Sequence, residues 1–186
     1  PALQHPELRQ VLAYEEAIGY AIGPDARDKD GLSAALAIAS MTAWEASDGL
    51  SLLDALDRLH LRHGAHVTRN FSLRYEGAGW QDRRAAALEH LAQTPPDQVG
   101  VFAVEEIRWL ASDVLRIDLE GAIRILVRPS GTEPKLKCYC ECVETVADDE
   151  VEAARLRAGE RLDRARSGLT PLLGATTVTS RLGSPA

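Results

Sequence analysis

Two strand-like runs that frame a single loop constrain this chain more than any other feature. Ile123 to Val127 is a mostly apolar, strand-like run, and Leu136 to Val143 alternates apolar with polar residues. Between them lies Arg-Pro-Ser-Gly-Thr-Glu-Pro-Lys, residues 128–135. Two such runs joined by a short Pro/Gly segment predict rigid strands holding a loop between them. The loop's residue types suit an anion. Arg128 offers a planar fork of donors, Ser130 and Thr132 offer hydroxyls, and Gly131 lets backbone N–H groups come close. The same letters also make an ordinary hairpin turn. On residue types alone, a phosphate cradle and a plain turn are both open.

The flanking sequence extends the pattern. Val67, Arg69, Phe71, Leu73 and Tyr75 alternate as a strand; Trp80 to Gln93 has helical apolar spacing and stops at Thr94-Pro95-Pro96. Strands are expected at 99–108, 113–119 and 122–128, the last two forming a hairpin over Glu120-Gly121, with a further strand at 135–144. Asp148 to Leu169 reads as an amphipathic helix with Val151, Ala154, Ala158, Leu162, Ala165 and Leu169 on one face. Residues 67–173 are therefore expected to form an α+β layer with helices on one sheet face. From Gly174 the Thr/Ser/Gly-rich tail, 174–186, lacks any period and is expected to be flexible.

Residues 1–66 read differently. After an irregular or partly helical lead-in, Tyr14-Glu15-Glu16-Ala17-Ile18-Gly19-Tyr20 suggests a strand end turning into a loop, and 24–31 is a polar loop between breakers. Leu32 to Ala46 is almost uncharged and predicts a buried helix. Ser51-Leu52-Leu53-Asp54 is a helix-start signature, with Gly64 as the stop. His60, His63 and His66 share a helical spacing that Gly64 interrupts, so helix-end and surface histidines are expected rather than a metal site. Cys138, Cys140 and Cys142 alternate along one strand. A row of sulfurs suits a buried, reduced face better than a tetrahedral metal, and reduced thiols fit a cytoplasmic protein.

Composition narrows the class. An apolar fraction of 45% and a charged fraction of 26% are ordinary for a globular protein. A net charge of −7 argues against broad nucleic-acid or anionic-membrane binding, and no apolar run is long enough to span a bilayer. The chain opens on Pro1 rather than Met, which suggests a segment of something longer.

As a string, residues 128–135 resemble the phosphate-binding loop of the α-D-phosphohexomutases, the phosphoglucomutase/phosphomannomutase family. Two upstream stretches resemble the same family in the same order. Residues 14–20 look like its sugar-recognition loop, and Arg27-Asp28-Lys29-Asp30-Gly31 looks like its Arg-x-Lys-Asp-Gly segment. The resemblance implies a C-terminal piece of a four-domain enzyme. Residues 1–66 would be an α/β remnant of the third domain, and 67–173 a fourth domain with a TATA-box-binding-protein-like sheet. It implies a phosphate clamp of Arg128, Ser130, Gly131, Thr132 and Lys135. Glu15, with Glu16, would contact the sugar, though Ala17 stands where many members carry a Ser. Lys29 and Arg27 would be catalytic, stabilising charge on the transferred phosphate.

The activity implied is interconversion of hexose 1-phosphate and 6-phosphate through a bisphosphorylated sugar, with a sugar bisphosphate as activator. The implied catalytic serine and magnesium loop have no counterpart in these residues. Magnesium ligands and two N-terminal domains are thus expected elsewhere in the parent protein. The alternatives are a non-catalytic phosphosugar-binding module, phosphopentomutase-type activity, or a structural domain carrying only a turn.

Overall fold

The computed structural model describes residues 7–15, 18–24, 26, 28–147, 150–174 and 176–178. The chain forms two compact units, Pro1–Arg58 and Leu59–Ala186.

In the first unit, β1 (Leu12–Glu15) and β2 (Gly19–Ile22) pair antiparallel, with Tyr14 opposite Tyr20 and Glu15 opposite Gly19. The expected strand end is thus the first arm of a hairpin that begins inside the predicted lead-in. α1 (Gly31–Ser47) follows. The Asp30 carboxylate caps it, accepting from Leu32 N at 3.0 Å and Ser33 N at 3.3 Å. The helix forms where its composition predicts, but none of its residues is buried. Leu32, Leu36, Ile38, Met41 and Trp44 are all exposed. A helix apolar on every side needs cover on every side, and the small β1–β2 hairpin cannot supply it.

α2 (Leu52–His63) starts with a reciprocal cap between Ser51 and Asp54, as its sequence predicts. Ser51 N donates to Asp54 Oδ2 at 2.7 Å and Asp54 N donates to Ser51 Oγ at 3.2 Å. Gly64, at φ +89°, ends it.

The second unit is built on a seven-stranded antiparallel sheet. Its strands are β3 (Ala65–Arg74), β4 (Gln98–Val99), β5 (Phe102–Ala111), β6 (Val114–Leu119), β7 (Ile123–Pro129), β8 (Lys135–Glu144) and β9 (Thr176–Val178), in the order β4-β5-β6-β7-β8-β3-β9. Two strands depart from expectation. The run from Val99 is not one strand, because Gly100, at φ +65°, turns the chain between β4 and β5. Part of the tail is ordered as well: Thr176–Val178 pairs with β3 through Ser72↔Val178 and Arg74↔Thr176, occupying a strand edge that would otherwise leave backbone groups unpaired.

Strand alternation separates two faces. Leu115, Ile117 and Leu119 of β6, Ile123, Ile125 and Val127 of β7, Leu136 and the three cysteines of β8, and Phe71 and Leu73 of β3 are buried together. α3 (Trp80–Gln93) and α4 (Val151–Leu172) cover that face, adding Leu88, Leu91, Ala158, Leu162, Ala165 and Leu169. The cysteines are free and buried; burial pushes the Cys138 thiol well up and the Cys142 thiol up. This is the expected α+β layer with helices on one face. Asp148 and Asp149, predicted to begin the last helix, lie outside the described residues.

The open face is polar and splits into two ends. Away from the 128–135 loop, charges are paired. Arg116 donates twice to Asp118, at 2.6 and 3.0 Å; Arg124 reaches both Asp118 and Glu141; His66 Nδ1 lies 3.2 Å from Glu141 Oε1. The other end carries the loop.

Candidate functional site

β7 delivers Arg128 to the open face at the last strand positions, and β8 resumes at Lys135. The β7–β8 register places Arg128 opposite Lys137, and the β3–β8 register places Arg74 opposite Lys135. Arg128, Lys135, Lys137 and Arg74 thus gather beside the loop. The carboxylate among them is Glu133, whose Oε2 lies 2.7 Å from Lys135 Nζ. The Lys135 hydrogen bond, with the further charges of Lys137 and Arg74, holds the Glu133 carboxyl below its ordinary range. Among the described residues no carboxylate pairs with Arg128, Lys137 or Arg74. In a chain of net charge −7, such a gathering is a local field that favours an anion.

The backbone of the loop is held from behind. Ser130 N donates to Lys135 O at 2.9 Å, Lys135 N donates to Glu133 O at 2.7 Å, and Tyr75 N donates to Pro134 O at 2.8 Å. Arg84 of α3 donates from Nη1 to Ser130 O at 2.9 Å and reaches Glu133 O at 3.5 Å. Its guanidinium lies over the Trp80 ring, 4.8 Å from the centroid. Tyr75 is itself fixed: its phenol donates to Leu173 O at 2.6 Å, and burial raises its pKa to about 12. With these carbonyls taken, the N–H groups of Gly131, Thr132 and Glu133 find no acceptor among the described residues. Nor do the hydroxyls of Ser130 and Thr132 find a partner there. Ser130 is buried at the base of the loop, 6% exposed.

Gly131 has ordinary negative φ, and an added Cβ would meet no protein atom within 4 Å. The fold therefore does not require glycine at this position. Something approaching the backbone from outside could require it.

The first unit holds a second cluster. Lys29 Nζ pairs with Glu15 Oε1 at 3.2 Å, both about half exposed, in a shallow pocket that Gln10, Tyr14, Gly19 and Asp28 also line. The stem of Lys29 crosses Gly19 so closely that an added Cβ there would lie 2.3 Å from Lys29 Cδ. Asp30, predicted within the same segment, is structural: it caps α1 and donates its N–H to Tyr20 O at 2.7 Å, which fixes the chain beside Lys29. Hydrogen bonds from Ser33 and the Leu32 N–H hold its carboxyl below the usual range. Glu16, Ala17 and Arg27 lie outside the described residues.

The structure therefore brings together Arg128, Ser130, Gly131, Thr132 and Lys135 in one loop, and Glu15 with Lys29 in one pocket. Sequence reasoning missed Arg84, Arg74 and Lys137. The pairing of Arg128 with Lys137 had a signal, because loop length fixes hairpin register. Arg74 and Arg84 had none, since their contacts depend on which strand and helix lie alongside.

The three histidines do not converge. His60 is buried and lies 3.1 Å from Arg155 Nε, His66 faces Glu141, and His63 is exposed. Among the described residues no three His, Cys, Asp or Glu side chains come together to hold a metal ion, and no helix is long and apolar enough to cross a membrane.

Known proteins are similar to this chain in sequence and in fold. Residues 81–158 match the family described as phosphoglucomutase/phosphomannomutase, C-terminal domain. A probable phosphomannomutase of Haemophilus influenzae is 34% identical over 137 residues, which cover 70% of this chain and 28% of that protein. A phosphoglucomutase of Staphylococcus haemolyticus is 32% identical over 147 residues, 69% of this chain and 27% of that protein. The chain thus spans little more than a quarter of these relatives' length. In fold it is similar to the open-form crystal structure of the Paramecium exocytosis-sensitive phosphoprotein pp63/parafusin, with a TM-score of 0.53 and 15% identity over 86% of this chain and 30% of that one.

Proposed function

We propose that this chain, whose residues 81–158 belong to the phosphoglucomutase/phosphomannomutase C-terminal domain family, clamps the phosphate of a hexose phosphate in a phosphohexomutase. The observation that carries the reading is the unspent donor set of the 128–135 loop. The carbonyls of Ser130, Glu133, Pro134 and Lys135 are bound within the chain. Three successive N–H groups, two hydroxyls and the Arg128 guanidinium are left for an anion. Backbone N–H groups in succession, closed by an arginine fork, match the terminal oxygens of a phosphate monoester.

The reaction proposed for the parent enzyme moves a phosphoryl group between the 1 and 6 positions of a hexose through a sugar bisphosphate, which also serves as activator. The clamp holds the phosphate that is not being transferred. Holding it orients the sugar and lowers the entropic part of the barrier. Glu15 accepts from sugar hydroxyls, and Lys29, with Arg27, stabilises the charge that develops on the moving phosphoryl group. The phosphorylated nucleophile and the magnesium ion belong to other parts of the parent. The described residues offer no cluster of side chains to hold a metal ion. The proposed setting is cytoplasmic.

The test is a titration of the 186-residue chain with glucose 6-phosphate, followed through the amide resonances of Gly131 and Thr132. Those two signals are expected to shift in a saturable way. Replacing Arg128 with alanine removes a charge-assisted contact worth roughly 1.5–3 kcal/mol, so affinity falls about tenfold or more. Resonances that stay still, or an Arg128→Ala variant that binds as well as the parent chain, would sink the clamp. The chain alone is expected to show no mutase turnover; measurable turnover would overturn the division of labour.

A further inference from the structure

We propose that Arg84 is a positioning residue for the phosphate loop. It draws the carbonyls of Ser130 and Glu133 toward α3 and so leaves the intervening N–H groups free for the anion. The inference rests on the reading of residues 128–135 as a phosphate clamp and assigns it a control element on a different part of the fold.

Pro129 and Pro134 lack an N–H, so carbonyls outnumber N–H groups in the loop, and a carbonyl oxygen facing a phosphate repels it. What makes the loop an anion site is therefore the direction in which its carbonyls are drawn. One nitrogen of Arg84 serves the carbonyls at both ends of the 131–133 segment, at 2.9 Å and 3.5 Å. Those carbonyls lie 46 and 49 residues from Arg84 in the chain. The Trp80 ring under the guanidinium, one helical turn earlier, holds its plane.

A second sign that the side chain is held in place is its Nε, which is buried and without a partner. A buried unpaired N–H is costly. An arginine serving only as surface charge would shed that cost by rotating into water. Arg84 keeps it, because rotation would release both carbonyls.

The neighbouring Arg83 makes a useful contrast. It donates to Ala78 O at 2.6 Å and to Glu76 O, fastening the 76–79 turn and not the phosphate loop. The two adjacent arginines thus fasten two different loops, and only one of these loops carries the clamp.

The experiment uses the 186-residue chain and inorganic phosphate as probe, read through amide resonances. Arg84→Met is expected to move the Gly131 and Thr132 amides before any phosphate is added, and to raise the phosphate Kd about tenfold, the loss expected when charge-assisted contacts fixing the loop are removed. The buried amides of Ile117 and Ile125 should stay in place, showing an intact sheet. Arg84→Lys keeps the charge and one donor and should recover part of the affinity. Arg83→Met should leave the Kd unchanged.

An Arg84→Met variant with the parent Kd overturns the assignment. So does a loss shared equally by Arg84→Lys and Arg84→Met with shifts spread through the sheet, since that marks a general structural role. A parent chain whose Gly131 and Thr132 signals ignore phosphate overturns the clamp itself and Arg84's part in it. A responding parent with an indifferent Arg84→Met variant overturns Arg84's part alone.

Discussion

Two glycines in α4 should respond in opposite directions to the same substitution. Gly159 and Gly168 both lie inside the helix Val151–Leu172. Replacing a helical glycine with alanine ordinarily stabilises by about 0.5–1 kcal/mol, through helix propensity and a less flexible unfolded chain. At Gly159 that rule should hold. A Cβ there would meet only the end of the Arg69 side chain, at 3.4 Å, an ordinary contact with a group able to move.

At Gly168 the new atom would lie 2.2 Å from Gly100 N, 2.4 Å from Gly100 Cα and 2.8 Å from the Val99 carbonyl carbon. These are backbone atoms of the β4–β5 turn. No rotamer change relieves the clash, so α4 or the turn must retreat by more than an ångström. The stripe of Ala165 and Leu169, both fully buried, would lose packing against the sheet. Overpacking of this kind costs about 1–3 kcal/mol, and the retreat adds lost burial at about 25 cal/mol per Å². The cost exceeds the propensity gain, and Gly168→Ala should destabilise by about 1–2 kcal/mol net. The assay is native-state hydrogen exchange at the amides of Ile117, Ile125 and Cys140, which report the seven-stranded unit alone. Protection should fall roughly five- to thirtyfold for Gly168→Ala and rise two- to fivefold for Gly159→Ala. A Gly168→Ala chain as well protected as the parent, or two variants moving in the same direction, would refute the packing argument.

Two further outcomes follow from the candidate sites. Glu133→Gln removes the carboxylate that occupies Lys135, and phosphate affinity at neutral pH should rise roughly two- to fivefold; unchanged affinity in an isothermal titration would show that the pair does not compete with the anion. Because Lys135 depresses the Glu133 pKa, the stability this pair contributes is present above the ordinary glutamate value of 4.5 and lost as pH falls through the depressed one. The acid limb of a pH–stability curve should therefore flatten in the same variant. In the first unit, Gly19→Ala places an atom 2.3 Å from Lys29 Cδ and 2.8 Å from Glu15 Cγ. The Glu15–Lys29 pair should part, which the loss of nuclear Overhauser contacts between the Lys29 δ-methylene and residue 19 would report; intact contacts would contradict the close crossing.

Much of the second unit can be read from sequence because its signal is local. β6, β7 and β8 alternate between buried and more exposed positions, and the Cys138-Cys140-Cys142 row lies on the buried face that alternation requires. The Ser51–Asp54 cap is likewise written in adjacent letters. The misses have one physical cause each. Gly100 lies inside a run that reads as continuous strand, and the turn appears only because its positive φ lets the chain pack onto α4. β9 forms because β3 offers an edge, something the Thr-rich tail cannot reveal alone. α1 carries apolar residues on every side, which a sequence reader translates as burial. Apolarity records that a helix needs covering; it does not say that the cover lies within the same 186 residues.

The 128–135 loop shows where local reading ends. Its donors are contiguous, so eight letters suffice to list them. Whether those donors face an anion depends on where the carbonyls go, and that is decided elsewhere. Tyr75 at the end of β3 takes the Pro134 carbonyl, and Arg84 on α3 takes those of Ser130 and Glu133. The same string without these partners could turn its carbonyls outward and remain a hairpin turn. The ambiguity between cradle and turn is thus a real property of the isolated segment. In the folded chain tertiary contacts bind the carbonyls of Ser130, Glu133 and Pro134, leaving Arg128, the N–H groups of residues 131–133 and the hydroxyls of Ser130 and Thr132 as unspent donors, which is what the proposed cradle requires.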